Sequence, residues 1–101
     1  MIKAGVVGVG HLGSIHLKLL TESPHFDVIG CFDSNSKIKE SIDLDVHFFE
    51  NINNLINQCE AIFICSFTPT HFKIAELCLN KNKHVFIEKP ITSLIKKNYR
   101  H

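Results

Sequence analysis

The sequence predicts an α/β protein, a doubly wound parallel sheet of about five strands with helices on its faces. Three observations carry this. Short β-branched and aromatic runs alternate with stretches whose apolar residues recur at helical spacing. No Asn-Gly or similar hairpin signal joins two of the runs. Four of the five glycines fall within nine residues around the end of the first run.

Ile2 to Val9 is one apolar run, as expected of a strand buried on both faces. Leu12, Ile15, His16, Leu19 and Leu20 then follow helical spacing, which predicts one apolar stripe on a helix stopped near Pro24. "FDVIGCF", Phe26 to Phe32, reads as the second strand and ends at Asp33. "DSNSKIKESIDL" supplies capping side chains ahead of a weakly apolar stretch, enough for a brief helix or turn. "VHFF" predicts a short third strand, and Asn51 caps a short helix over Ile52 to Asn57. "AIFICSF", Ala61 to Phe67, is the most apolar run and the expected central strand. Thr68 and Pro69 read as an N-cap and a first-turn proline, and His71, Ile74, Ala75, Cys78 and Leu79 repeat the helical stripe up to Asn80 and Asn82. "HVFIEKP" is the last strand, closed by Pro90. Strands joined by helical crossovers imply parallel pairing with right-handed connections.

The 101 residues fit one small domain, and 45% hydrophobic with 21% charged residues is an ordinary globular balance. A net charge of +1 offers no field for a polyanion, so nucleic acid is not the expected partner, although Lys96, Lys97, Arg100 and His101 make the end of the chain basic. No apolar run approaches the ~18 residues a membrane helix needs, and no cleavage-site pattern follows the start, so the expected location is cytoplasmic. Cys31, Cys59, Cys65 and Cys78 are widely spaced and form no CxxC pair. They read as reduced core thiols, and no metal site is expected.

Gly8, Gly10 and Gly13 form G-x-G-x-x-G between a strand and a helix. In a Rossmann-type βαβ unit the first glycine permits the tight turn, the second admits a pyrophosphate to the backbone, and the third lets helix and strand pack closely. The helix starting at His11 and Leu12 would aim its free N–H groups at the phosphates. Asp33 lies about 20 residues beyond the last glycine, where a carboxylate accepts the hydroxyls of the adenosine ribose. That favours NAD. Ser34, Ser36 and Lys37 would suit the 2′-phosphate of NADP, so both cofactors stand, NAD first. Asp33 could instead cap the helix after it.

"GVVGVGHLGSIHLKLL", "VIGCFDSN" and "AIFICSFTPTHFKIAELCLNKNKHVFIEKP" together resemble the N-terminal domain of the glucose-fructose oxidoreductase and inositol dehydrogenase family (Gfo/Idh/MocA). The resemblance implies an NAD(P)-binding domain of an oxidoreductase that moves hydride between a nicotinamide cofactor and a sugar or polyol hydroxyl. It implies that Ser66, Phe67, Thr68 and Pro69 run along the cofactor with His71 beside them. Glu88 would meet the nicotinamide-side ribose, and Lys89 would be the catalytic residue at the substrate hydroxyl. A lysine at the carboxyl end of a parallel strand stands where open α/β sheets bind ligands, and its charge stabilises an alkoxide. Read as plain sequence, Lys89 could be a solvated strand-end lysine, His71 suits a helix face better than a base, and His11 and His16 look structural. Phe48 and Phe49 look like core.

On this reading residues 1–90 form the dinucleotide-binding Rossmann domain and 91–101 a basic C-terminal tail. The family has a second, substrate-binding domain after E-K-P, whereas eleven residues follow Pro90 here. The expectation is a truncated product or a fragment that keeps the fold, binds NAD weakly and turns over negligibly by itself. Whether it is an enzyme alone stays open. A sugar or polyol substrate is expected only with a second domain. A homo-oligomer formed through the uncovered edge of residues 84 to 88 is a further expectation. The alternative is a non-catalytic nucleotide-binding sensor or partner subunit.

Overall fold

The structure, a computed structural model, describes residues 1–42, 45–65 and 70–87. Its elements in chain order are β1 (Ile2–Val7), α1 (His11–Glu22), β2 (Phe26–Phe32), a 3-10 turn (Ser36–Ser41), α2 (Ile52–Gln58), β3 (Ala61–Ile64), α3 (Thr70–Asn80) and β4 (His84–Ile87). The strands pair in the order β2-β1-β3-β4, all parallel. Both faces are covered, so alternate residues of each strand enter two separate cores. Val6, Val9, Leu17, Leu20, Cys31 and Cys65 pack under α1. Val7, Leu55, Ile56, Ile62, Ile64, Ala75 and Cys78 pack under α2 and α3.

β2 carries a bulge. Ala4 pairs with Val28 and Gly5 with Gly30, so Ile29 is an extra residue opposite the Ala4–Gly5 step. The bulge keeps Cys31 on the α1 side and Phe32 on the other. Gly30 is needed because a Cβ there would meet the Phe49 ring, with Cδ1 at 2.8 Å.

Two expectations are corrected. The described sheet has four strands, because "VHFF" makes only an isolated parallel bridge between Cys31 and Phe48. Its two hydrogen bonds run from the Cys31 N–H to the His47 carbonyl (2.9 Å) and from the Phe49 N–H to the Cys31 carbonyl (2.7 Å). The chain then turns at once into α2, whose N-cap Asn51 accepts the Asn53 N–H at 2.8 Å, and no room is left for a second pair. The α1 stripe is also rotated from the expected one. Leu17 and Leu20 are buried, while Ile15 and Leu19 are 44% and 58% exposed. Gly13 is pressed onto the β1 loop, and that contact fixes which side of the helix faces the sheet. The expected strand over 61–67 is described to Ile64 and the last strand to Ile87; Ser66 to Pro69 and Glu88 to His101 lie outside the described residues.

Among the described residues the outer edge of β4 has no strand partner. Phe86 there is half exposed and stacks on Phe63 with ring centroids 4.7 Å apart, and Phe63 meets Phe26 edge-on at 5.6 Å. No described helix is long and apolar enough to cross a membrane.

All four cysteines are buried and none is in a disulfide. Burial pushes the thiols of Cys31, Cys59 and Cys78 up to about 11 from 9.0, with the Asp33 carboxylate adding to the rise at Cys31. The unfolded chain therefore loses these protons near pH 9 while the folded chain keeps them to about pH 11. Stability from this source is complete below pH 9 and drains away between pH 9 and 11, by about 1.4 kcal/mol per pH unit for each thiol. Urea unfolding at pH 8 and pH 10 checks this: the midpoint is expected to fall sharply, and replacing Cys78 with alanine to lessen the slope.

Candidate functional site

The site is built where β1 ends. Gly8 has φ 87, a left-handed conformation that disfavours any side chain, and its N–H donates to the Phe32 carbonyl at 2.8 Å. The Cys65 N–H donates to the Val7 carbonyl, also at 2.8 Å, so the loop leaves β1 while tied to both neighbouring strands. Val9 then plants its side chain in the core under α1. The glycine at 13 is demanded by contact: a Cβ there would overlap the Gly8 carbonyl oxygen outright and stand 2.7 Å from the Gly8 carbonyl carbon.

Gly10 is different. Its φ of −70 suits any residue, and among the described residues a Cβ built on it meets nothing within 4 Å. Nothing in the packing of the described residues requires glycine there. Gly10 is also the N-cap of α1, yet no side chain caps the helix and its first turn holds no acidic residue. The first helical bond runs from the Ser14 N–H to the Gly10 carbonyl at 2.8 Å. The amides before it belong to the positive end of the helix dipole, beside open space. An anion fits that combination.

Asp33 follows β2 directly and faces this loop. Its Oδ2 accepts the Val9 N–H at 2.8 Å, and its Oδ1 accepts the Asn35 N–H at 2.8 Å. The cap of the 3-10 turn is Asn35, whose Oδ1 accepts the Lys37 N–H at 3.1 Å, so Asp33 does not serve as that cap. Two backbone bonds leave about half of the carboxylate's acceptor capacity free. Ser34, the other sequence candidate here, is exposed next to it.

The structure thus brings together Gly8, Gly10, Gly13 and Asp33, with the backbone of His11 and Leu12 opening α1. The side chains of His11, Leu12 and His71 lie outside the described residues, as do Ser66, Phe67, Thr68, Pro69, Glu88 and Lys89. β4 runs parallel to β1, so the chain leaves it at Ile87 on the same side of the sheet as the glycine loop. Sequence reasoning missed Val9, whose amide links the loop to Asp33. Only the distance in chain between loop and carboxylate, not any residue type, could have signalled it. Among the described residues no group of three or more His, Cys, Asp or Glu could hold a metal ion.

The chain is similar to several known dehydrogenases. It is 32% identical over 93 residues to UDP-N-acetylglucosamine 3-dehydrogenase of Acidithiobacillus ferrooxidans, covering 90% of this chain and 29% of that protein. It is 28% identical over 97 residues to myo-inositol 2-dehydrogenase of Thermotoga maritima, covering 90% and 29% respectively. A solved dehydrogenase from Clostridium difficile superposes with a TM-score of 0.79 at 36% identity, over 91% of this chain and 31% of that one. The chain therefore spans a little under a third of the length of the curated relatives it matches. The model of the oxidoreductase family with an NAD-binding Rossmann fold, Gfo/Idh/MocA, matches residues 2–100, nearly the whole chain. With the glycine loop, the uncapped helix and the carboxylate after β2 arranged as that fold requires, the chain belongs to this oxidoreductase family.

Proposed function

We propose that this chain is the cofactor-holding part of an oxidoreductase that moves hydride between NAD and a hydroxyl of a sugar or polyol. In this reading Gly8, Gly10 and Gly13 and the amides of His11 and Leu12 receive the diphosphate. Asp33 accepts the hydroxyls of the adenosine ribose, with Ser34 beside it. Ser66, Phe67, Thr68, Pro69 and His71 follow the cofactor toward the nicotinamide, Glu88 meets the second ribose, and Lys89 acts on the substrate hydroxyl. The observation that carries the reading is Gly10, a glycine with an unstrained backbone and an empty Cβ position. Such a glycine makes sense when something from outside must touch the backbone. The relatives named for acting on a sugar nucleotide and on an inositol support the substrate class.

When bound, the nicotinamide ring supplies the hydride acceptor. The protein's share is to hold the dinucleotide by its diphosphate and ribose and to stabilise charge on the substrate oxygen with the Lys89 ammonium. A lysine lowered toward neutrality could also take the hydroxyl proton. Residues 1–101 alone are proposed to bind the cofactor without turning substrate over, since the relatives they match are about three times as long. Four buried thiols outside any disulfide favour a reducing compartment such as the cytoplasm.

Calorimetric titration of the chain with NAD+ is expected to give one-site binding, with NADP+ about tenfold weaker or worse because the Asp33 carboxylate would face its 2′-phosphate. Equal affinities would count against this placement of the ribose. The open edge of β4, with Phe86 at its rim, supports self-association. Light scattering across a concentration series is expected to show dimers or larger species of the chain, and Phe86→Lys to shift them toward monomer.

A further inference from the structure

The Asp33 carboxylate does more in this structure than wait for a ribose. Its two oxygens are each engaged by a backbone N–H from a different segment: Val9 in the glycine loop at 2.8 Å and Asn35 in the chain beyond β2 at 2.8 Å. Val9 lies between Gly8, in its left-handed conformation, and Gly10, the helix N-cap. Its side chain is buried, 2% exposed, in the core beneath α1. The Val9 N–H bonded to Asp33 is directed into the protein and is not a donor for phosphate.

We propose that Asp33 is a positioning residue for the diphosphate loop, holding the Gly8–Gly10 backbone in its receiving shape whether or not a ribose is bound. The proposal rests on the dinucleotide reading above and deepens it: one carboxylate ties the phosphate seat and the ribose seat into a single unit. A charged acceptor is well suited to this, because a carboxylate offers about four lone-pair positions, two for the backbone and two for ribose hydroxyls. An amide cannot replace it. Asparagine at 33 keeps one oxygen and presents an NH2 where the second backbone N–H already donates, so one of the two bonds must break. Alanine at 33 takes away both bonds, so a change there aimed at the ribose alone also releases the loop, and the phosphate subsite weakens with it.

The test separates the two roles by removing the ribose contact from the ligand. Wild type and Asp33→Ala are titrated with NAD+ and with an NAD+ analogue whose adenosine ribose lacks both hydroxyls, at a temperature where circular dichroism shows both proteins folded. Amide hydrogen exchange is followed at Val9, with Gly5 in β1 as the internal reference. If Asp33 holds the loop, Asp33→Ala weakens the analogue as well, by about tenfold for a lost charged hydrogen bond. Val9 then exchanges at least about tenfold faster than in wild type while Gly5 is unchanged. If the two proteins bind the analogue equally and Val9 exchange does not move, the proposal is overturned and Asp33 serves the ribose alone. Should Asp33→Ala not fold, an amide-to-ester replacement at Val9, which removes only that N–H, is expected to weaken the analogue by a similar factor, and unchanged binding would overturn the proposal. Failure of the dinucleotide reading looks different: wild type then binds neither ligand, and Val9 exchange alone decides on the loop.

Discussion

Gly13→Ala is expected to be the most damaging single methyl in the molecule. A Cβ at 13 would coincide with the Gly8 carbonyl oxygen and crowd Cys65 Cβ at 3.4 Å. Neither neighbour can yield cheaply. Gly8 is pinned by its bond to Phe32, and Cys65 by its bond to Val7. The N-terminal turn of α1 must therefore lift from β1, pulling Leu17 and Leu20 from the core they fill. Alanine returns up to about 1 kcal/mol of helix propensity, which is too little. A net loss of about 3 kcal/mol is expected, at the upper end of overpacking penalties because the obstacle is backbone. Chemical denaturation reads the loss, and NAD+ titration of whatever stays folded should show binding gone with it. A stability within about 0.5 kcal/mol of wild type would mean the helix and loop are not packed this closely.

Gly10→Asp is expected to do the opposite to stability and equal harm to binding. Among the described residues the added side chain meets nothing within 4 Å, and it leaves a backbone that any residue can adopt. As an N-cap it can accept N–H groups of the first turn, which no side chain now caps, and this adds a few tenths of a kcal/mol relative to glycine. The new carboxylate then occupies, in cis, the seat proposed for the diphosphate. Affinity for NAD+ should fall by about 100-fold, or roughly 2.7 kcal/mol, while the denaturation midpoint holds or rises. Undiminished NAD+ binding would remove Gly10 from the cofactor site. The pair of variants separates two meanings of glycine in one motif: the packing of the fold at 13, and at 10 the proposed seat of the ligand.

Much of this was legible in the sequence because it depends on local chemistry. The three glycines and Asp33 are recognisable from spacing alone, and their roles differ as the βαβ geometry says they should: Gly8 by its φ, Gly10 by its empty flank, Gly13 by its contact. The parallel sheet followed from the alternation of runs and stripes. What escaped was decided by partners far away in the chain. "VHFF" has strand-forming residues, yet the Asn51 cap ends its pairing after one bridge. Ile15 and Leu19 have helical spacing, yet the Gly13 contact turns them outward. Phe49 was expected in the core and is there, but its place under Gly30 could not be read from either residue. The bond from Val9 to Asp33 spans 24 residues and joins a backbone atom that has no sequence identity.

The bulge at Ile29 has a consequence for the site that no side chain announces. Were β2 to slip one notch and pair with β1 without interruption, every residue after it would arrive one step late. Phe32 would then stand where Asp33 now meets the Val9 amide, trading an anion for an apolar ring with no change of composition. That frame is barred because it would also turn Phe32 toward α1 and withdraw Gly30 from beneath Phe49. Two apolar residues and a missing methyl thus act as the ratchet that decides which functional group the loop encounters.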